Sequence, residues 1–250
     1  MENIKNQKNQ KSNQGDFRLV KKSNLKDLRY TQIINTISHE LSTPVSILKS
    51  NIQMFKDFSF NVDQAIKDES IHMCEESVEN VVRFLDNIQL LNTAIRSEII
   101  PSYSSFKVKN VMYSQFKEMA RLNLQYSRIS IQWDLAVKVI FSDLLLLRQI
   151  VANLLSNALK FSKEKVFLFI STTPKQISIV VQDSGIGIPK EELAMVCNPF
   201  FRSTNAKKKP GVGLGLAIVS TLTKSMRGHL YVSSIIDQGT TVKILLPYEN

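Results

Sequence analysis

The stretch SHELSTP, residues 38–44, sets a histidine, a glutamate, a threonine and a proline within two helical turns. Around it Ile33, Ile37, Leu41, Val45, Leu48, Ile52 and Phe55 recur every three or four residues, the mark of a long amphipathic helix. At 100° per residue His39 stands about 200° round from both Ile37 and Leu41. Its imidazole therefore faces water, where a nucleophile that receives a group from elsewhere must be. Glu40 can orient the ring or take its proton. Thr43, one turn on along the same face, can hold a water. Pro44 removes the backbone hydrogen bond to the Glu40 carbonyl and crowds that turn, at about 3 kcal/mol. The loosened turn is the one carrying His39.

A second set of residues suits phosphates. In RQIVANLLSNALKFS, Asn153, Asn157 and Lys160 form one polar stripe along a helix whose opposite face is Leu147, Ile150, Val151, Leu154 and Ala158. Carboxamide oxygens suit Mg²⁺ when phosphates supply the countercharge, and the Lys160 ammonium suits a phosphate oxygen. KQISIVVQ then delivers Asp183 into DSGIGIP. A carboxylate at a strand end, followed by glycines that allow close backbone approach, can accept from an adenine amino group. Further on, Gly211, Gly213 and Gly215 open a helix, and amides at a helix N-terminus cradle phosphate. The segment before these glycines is lysine-rich rather than a strand, and GK[ST] is missing, so neither a Rossmann nor a Walker loop fits.

The elements that must position these residues follow from periodicity. A second apolar stripe runs through Ile66, Met73, Val78, Val81, Phe84 or Leu85, Ile88, Leu91 and Ile95. Two helices of about thirty residues and a short connector make a hairpin. A lone hairpin cannot cover both stripes, so two copies are expected to pair as a four-helix bundle. Past Pro101 the pattern is mixed. A short strand near Ser105–Lys107, a helix from about Val108 to Leu124, the strand ISIQWDL and the helix DLLLLRQIVANLLSNALKFS come first. The strands KVFLFIST and KQISIVVQD, the helix LGLAIVSTLTKSM, and the strands HLYVSSI and TTVKILLP follow. Hairpin-connected strands beside three helices predict an α/β sandwich of the α+β kind.

Composition narrows the classes. The chain has 250 residues, 43% hydrophobic and 22% charged, ordinary for a globular protein. No uninterrupted apolar run approaches the ~18 residues of a membrane span; the richest, VIFSDLLLLRQIVANLL, is broken by Asp143 and Arg148. The first residues lack a signal-peptide core, so a cytoplasmic location is expected. Cys74 and Cys197 are read as separate reduced thiols. Thr43 stands where HExxH needs its second histidine, which excludes a zinc-protease helix. The net charge of +10 suits an acidic ligand. Seven Lys/Arg against three Asp/Glu fall in residues 1–28, much of it on a polar tail, 1–24, read as disordered.

Taken in order, the motifs resemble those of sensor histidine kinases of two-component signalling. SHELSTP looks like the phosphoacceptor box; NLLSN (153–157), DSGIGI (183–188), NPFFR (198–202) and GVGLGL (211–216) resemble the N, G1, F and G2 boxes. The resemblance covers about residues 25–248. It implies a dimerisation and phosphotransfer hairpin at 25–98 and a catalytic ATP-binding domain at 99–250. His39 would be the phosphoacceptor and Glu40 its acid/base partner, with Thr43 orienting water in a phosphatase reaction. Asn153 and Asn157 would hold Mg²⁺ and Lys160 a phosphate, with Phe161 lining the pocket. Asp183 would bind adenine, with Gly185 and Gly187 shaping its site. Residues 189–210 would form a lid, Arg202 would neutralise the γ-phosphate, and Gly211, Gly213 and Gly215 would wrap the phosphates.

Related ATPases that hydrolyse ATP carry a glutamate where Asn153 stands. An amide cannot deprotonate water, so position 153 favours transfer to His39. Ser42, where many members carry a basic residue, and Asn198, where an acidic one is frequent, depart from the pattern. The implied partners are a second copy and a response-regulator receiver domain. With only a short polar tail ahead of the hairpin, the signal is expected through that tail, a separate sensory partner or segments outside this chain. Two other classes were weighed. A scaffold that no longer phosphorylates itself is disfavoured because every motif is intact. A nucleic-acid binder, prompted by the basic charge, lacks aromatics interleaved with Lys/Arg.

Overall fold

The computed structural model describes residues 34–57, 63–96, 99–122, 124–207, 209 and 211–248. The polar tail, Ile33 and most of the break after Asp57 lie outside the described residues. Two compact units divide between Val81 and Val82, and each is taken by itself.

Residues 34–57 are helical (α1), and the helix continues unbroken through Pro44. The second helix, α2 (Gln64–Ile95), has 32 residues. Its buried positions Ser70, Ser77, Phe84 and Leu91 recur every seven residues, the seam spacing of packed helices. Phe55 of α1 faces Ile71, Cys74 and Val78 of α2 across a groove, and Ser70 Oγ lies 3.9 Å from Met54 Sδ. The expected apolar stripe is only partly covered. Ile37, Leu41, Leu48 and Phe55 are half-buried, whereas Val45 and Ile52 are 54% and 51% exposed. On α2, Ile66, Met73 and Val78 are also exposed.

The second unit is a sheet covered by helices. Its strands are β1 (Ser104–Lys107), β2 (Ile129–Leu135), β3 (Val139–Ser142), β4 (Val166–Thr172), β5 (Gln176–Asp183), β6 (His229–Ile235) and β7 (Gly239–Pro247). Its helices are α3 (Val108–Leu122), α4 (Leu144–Phe161) and α5 (Gly215–Ser225), with short 3₁₀ turns at Lys190–Met195 and Thr204–Ala206. The main sheet runs β2-β4-β5-β7-β6, and β1 pairs separately with β3. β2 and β4 are parallel; the remaining pairs are antiparallel. Parallel neighbours need a crossover, and α4 supplies it. Alternation along β4 and β5 buries Leu168, Ile170, Ile177 and Ile179, each worth about 1.5–3 kcal/mol.

The ends of α4 are fixed by specific caps. The Asp143 carboxylate accepts from the Leu146 N–H at 2.9 Å, satisfying a first-turn donor, and from the Ser102 N–H at 2.6 Å. At the other end the Arg128 guanidinium donates to the Leu159 and Ser162 carbonyls, each at 3.0 Å, where a cation also meets the negative end of the helix dipole. Among the described residues α4 alone is long and apolar enough to cross a membrane by length and composition. Its apolar face is the buried core side of the sandwich, with Leu147, Ile150, Val151 and Leu154 each 2% exposed or less.

Candidate nucleotide site and phosphoacceptor helix

Asn153, Asn157 and Lys160 are half-buried on the side of α4 opposite its buried apolar positions. That side meets the start of α5. A Cβ built on Gly215 would stand 2.8 Å from Asn157 Nδ2, and one on Gly211 would stand 2.2 Å from Lys160 Nζ. At Gly211 the φ of +119° calls for glycine, and at Gly215 an added methyl would have to displace the Asn157 amide. The first amides of α5 have no helical carbonyl behind them, so N–H dipoles, a carboxamide and an ammonium converge here. Asn153 Nδ2 donates to the Gln149 carbonyl at 2.9 Å, which leaves its oxygen for another partner. Lys160 Nζ also sits 4.8 Å from the Phe161 ring centroid.

Asp183 ends β5 and is 9% exposed. Burial pushes its carboxyl above the usual range, opposed by N–H donors from Gly185 and Thr240; the Gly185 bond is 2.8 Å to Oδ1. The loop that follows is wedged between α4 and the β6–β7 turn. The Phe161 carbonyl accepts from Ile186 N at 3.4 Å, and a Cβ on Gly185 would strike that carbonyl at 2.5 Å. Gly187, with φ of +64°, passes so near Ile235 that a Cβ would lie 2.1 Å from its carbonyl. Gly213, with φ of +76°, is pressed against the Phe201 carbonyl in the same way, and the Gly213 carbonyl accepts from Phe200 N at 3.0 Å.

Arg202 lies in the turn that follows. Its guanidinium donates to the carbonyls of Ala206 at 2.9 Å, Lys207 at 3.0 Å, and Lys209. It closes that turn on itself. Sequence reasoning passed over Thr240, whose place beside Asp183 follows from the β5–β7 register, and the ties made by Glu192, Ser203 and Asn205. Nothing periodic marks these loop residues. A cavity of about 450 Å³ borders α5 and β6, lined by Cys197, Ser220, Lys224 and His229 among others; none of the nucleotide residues named above lines it.

On α1, His39 is exposed and Glu40 half-buried. The Thr43 hydroxyl donates to the His39 carbonyl at 3.2 Å, and Ser42 does the same to Ser38 at 2.7 Å. Thr43 thus lies on the His39 face, as i and i+4 positions must.

Comparisons with known proteins bear on both units. Residues 142–250 match the family described as "Histidine kinase-, DNA gyrase B-, and HSP90-like ATPase". The chain is 26% identical over 226 residues to the signal transduction histidine-protein kinase ArlS of Staphylococcus haemolyticus, covering 86% of this chain and 48% of that protein. It is 28% identical over 223 residues to the circadian input-output histidine kinase CikA of Synechococcus elongatus, covering 86% of this chain and 30% of that protein. The chain therefore spans half or less of the length of these relatives. The solved structure of Acinetobacter baumannii histidine kinase AdeS shares the fold, with a TM-score of 0.59 at 21% identity over 85% of this chain and 98% of that one. The expected helical region followed by an α/β sandwich ATPase domain is borne out. Residues 142–250 thus match the histidine kinase-, DNA gyrase B- and HSP90-like ATPase family, and the chain is similar to sensor histidine kinases over most of its length.

Proposed function

We propose that this protein is an ATP-dependent protein histidine kinase that phosphorylates itself on His39 and passes the phosphoryl group to an aspartate of a response regulator. The observation that carries the reading is the convergence of Asn157 and Lys160 of α4 on the glycine-lined start of α5. In it, Lys160 and the α5 amides bind the phosphates, and Asp183 accepts from the adenine amino group. Phe161 and Gly185 shape the adenine side, and Gly213 keeps the phosphate loop close. Mg²⁺ fits the donor set: two carboxamide oxygens, from Asn153 and Asn157, would share it with phosphates that carry the countercharge. Bound there, it would offset charge on the phosphates.

In the transfer, the bond from the γ-phosphorus to its bridging oxygen breaks and ADP leaves. A phosphorus–nitrogen bond forms at the His39 imidazole, and the displaced ring proton passes to Glu40. Asn153 offers no base for water, which supports transfer over hydrolysis. Arg202 serves the phosphate end by holding its turn closed rather than as a free cation. Thr43 lies where its hydroxyl can orient water against a phosphorylated regulator, giving a phosphatase reaction. The exposed apolar positions of α1 and α2 support pairing of two copies. We place the protein's catalytic region in the cytoplasm, fed by a sensory segment or partner, with residues up to 98 as the phosphotransfer hairpin and those from 99 as the catalytic domain.

The test is incubation with γ-labelled ATP and Mg²⁺, beside His39→Gln and Asn157→Ala. Acid-labile, alkali-stable label in the unaltered protein, lost in both variants while His39→Gln still binds ATP, supports the reading. ATP binding with no label in the unaltered protein contradicts it.

A further inference from the structure

The turn after Arg202 is tied to two other parts of the ATPase domain. Asn205 Nδ2 donates to the carbonyls of Gly187 at 3.0 Å and Ile186 at 3.2 Å, one for each amide hydrogen. These carbonyls belong to the loop that follows Asp183. On the other side the Glu192 carboxylate accepts from the Ser203 hydroxyl and from Thr204 N at 3.2 Å. Ser203 Oγ also lies 2.7 Å from Asn205 Oδ1, so its one proton is shared between Asn205 and Glu192. Ile186 O receives a further donor, Asp237 N at 3.1 Å, so the adenine-side loop is held from the β6–β7 turn as well. Arg202 closes the same turn internally through the carbonyls of Ala206, Lys207 and Lys209. A segment closed on itself in this way moves as a unit, and Asn205 is its tie to the adenine-side loop.

We infer that Asn205 is a positioning residue for the nucleotide: its amide clasps the phosphate-side lid to the adenine-side loop, so the two halves of the site close together. The inference rests on the ATP-binding reading above. The clasp touches neither the reacting atoms nor the metal ligands. Losing it should loosen nucleotide binding and leave the transfer step alone. Two donated bonds of about 1 kcal/mol each correspond to a five- to thirtyfold change in an equilibrium constant.

The experiment uses the full chain with Asn205→Ala and Asn205→Asp. The second variant keeps the side chain's size and removes both donors. Three quantities are read: KM for ATP and kcat in autophosphorylation, release of a fluorescent ADP analogue, and tryptic cleavage after Lys207 without nucleotide. Both variants are expected to raise KM at least fivefold with kcat within twofold, to release ADP faster, and to be cut sooner after Lys207. Unchanged KM and unchanged cleavage in both would overturn the clasp, as would a fall in kcat at constant KM. Normal behaviour of Asn205→Asp beside a defective Asn205→Ala would also overturn it, since filling the space would then suffice. Failure of the unaltered protein to bind ATP would sink the nucleotide reading first, and is told apart because the cleavage comparison needs no nucleotide.

Discussion

Asp183 combines two demands that pull against each other. It must be buried beside the adenine-side loop, yet burial raises its pKa because the charged form loses water. For an acid whose pKa is higher folded than unfolded, the penalty is absent below the unfolded pKa. It grows as pH rises through the interval up to the folded value. Asp183→Asn removes the charge, so the melting-temperature difference should shift in the variant's favour as pH rises above about 4. A thermal-shift series measures this. ATP affinity should fall about ten- to a hundredfold, the scale of one hydrogen bond to a charged group. Gly215→Ala should also separate stability from function. Alanine is the better helix former by about 0.5–1 kcal/mol, so the melting temperature should not fall. The added methyl would stand 2.8 Å from the Asn157 amide and should weaken ATP binding about tenfold in calorimetry. The roles proposed for His39, Asn153, Asn157, Lys160 and Asp183 were readable in sequence because helical and strand periods say which face each residue takes. Asn205 was not, since a loop residue's partners depend on tertiary approach.

At the scale of elements, α4 carries most of the nucleotide side, so its ends matter. Asp143 caps it while also holding Ser102 N–H, and Asp143→Ala should cost about 1–2 kcal/mol in chemical denaturation. Residual ATP binding at saturating nucleotide should survive, because the polar stripe lies two or more turns further on. The long helices and the β4, β5, β6 and β7 strands follow their sequence patterns closely. The strand Val139–Ser142 was absorbed into the apolar run before α4, because four residues give too little alternation to read. The parallel pairing of β2 with β4 was also illegible. Pairing partners depend on the route of the crossover, and both strands look alike in isolation. Arg202 was expected to neutralise the γ-phosphate; its three carbonyl partners come from a turn whose geometry no short-range pattern announces.

At the scale of the whole molecule, the proposed second copy would cover the apolar positions left exposed on the helices. Val45 and Ile52 lie seven residues apart and are half exposed. Val45→Asp with Ile52→Asp should convert a dimer to monomer in sedimentation equilibrium. ATP binding, proposed for the 99–250 region, should be unaffected. Loss of nucleotide affinity in that variant would mean the two functions are not separable as proposed. In the proposed reaction the imidazole of residue 39 takes the terminal phosphoryl of the nucleotide bound between α4 and α5. Phosphopeptide mapping at alkaline pH, after brief incubation of the unaltered protein with ATP and Mg²⁺, tests it most directly. One acid-labile phosphoryl group is expected, on the peptide containing His39 and on its imidazole nitrogen. Phosphate recovered on another residue, or ATP bound and turned over with His39 unmodified, would contradict it.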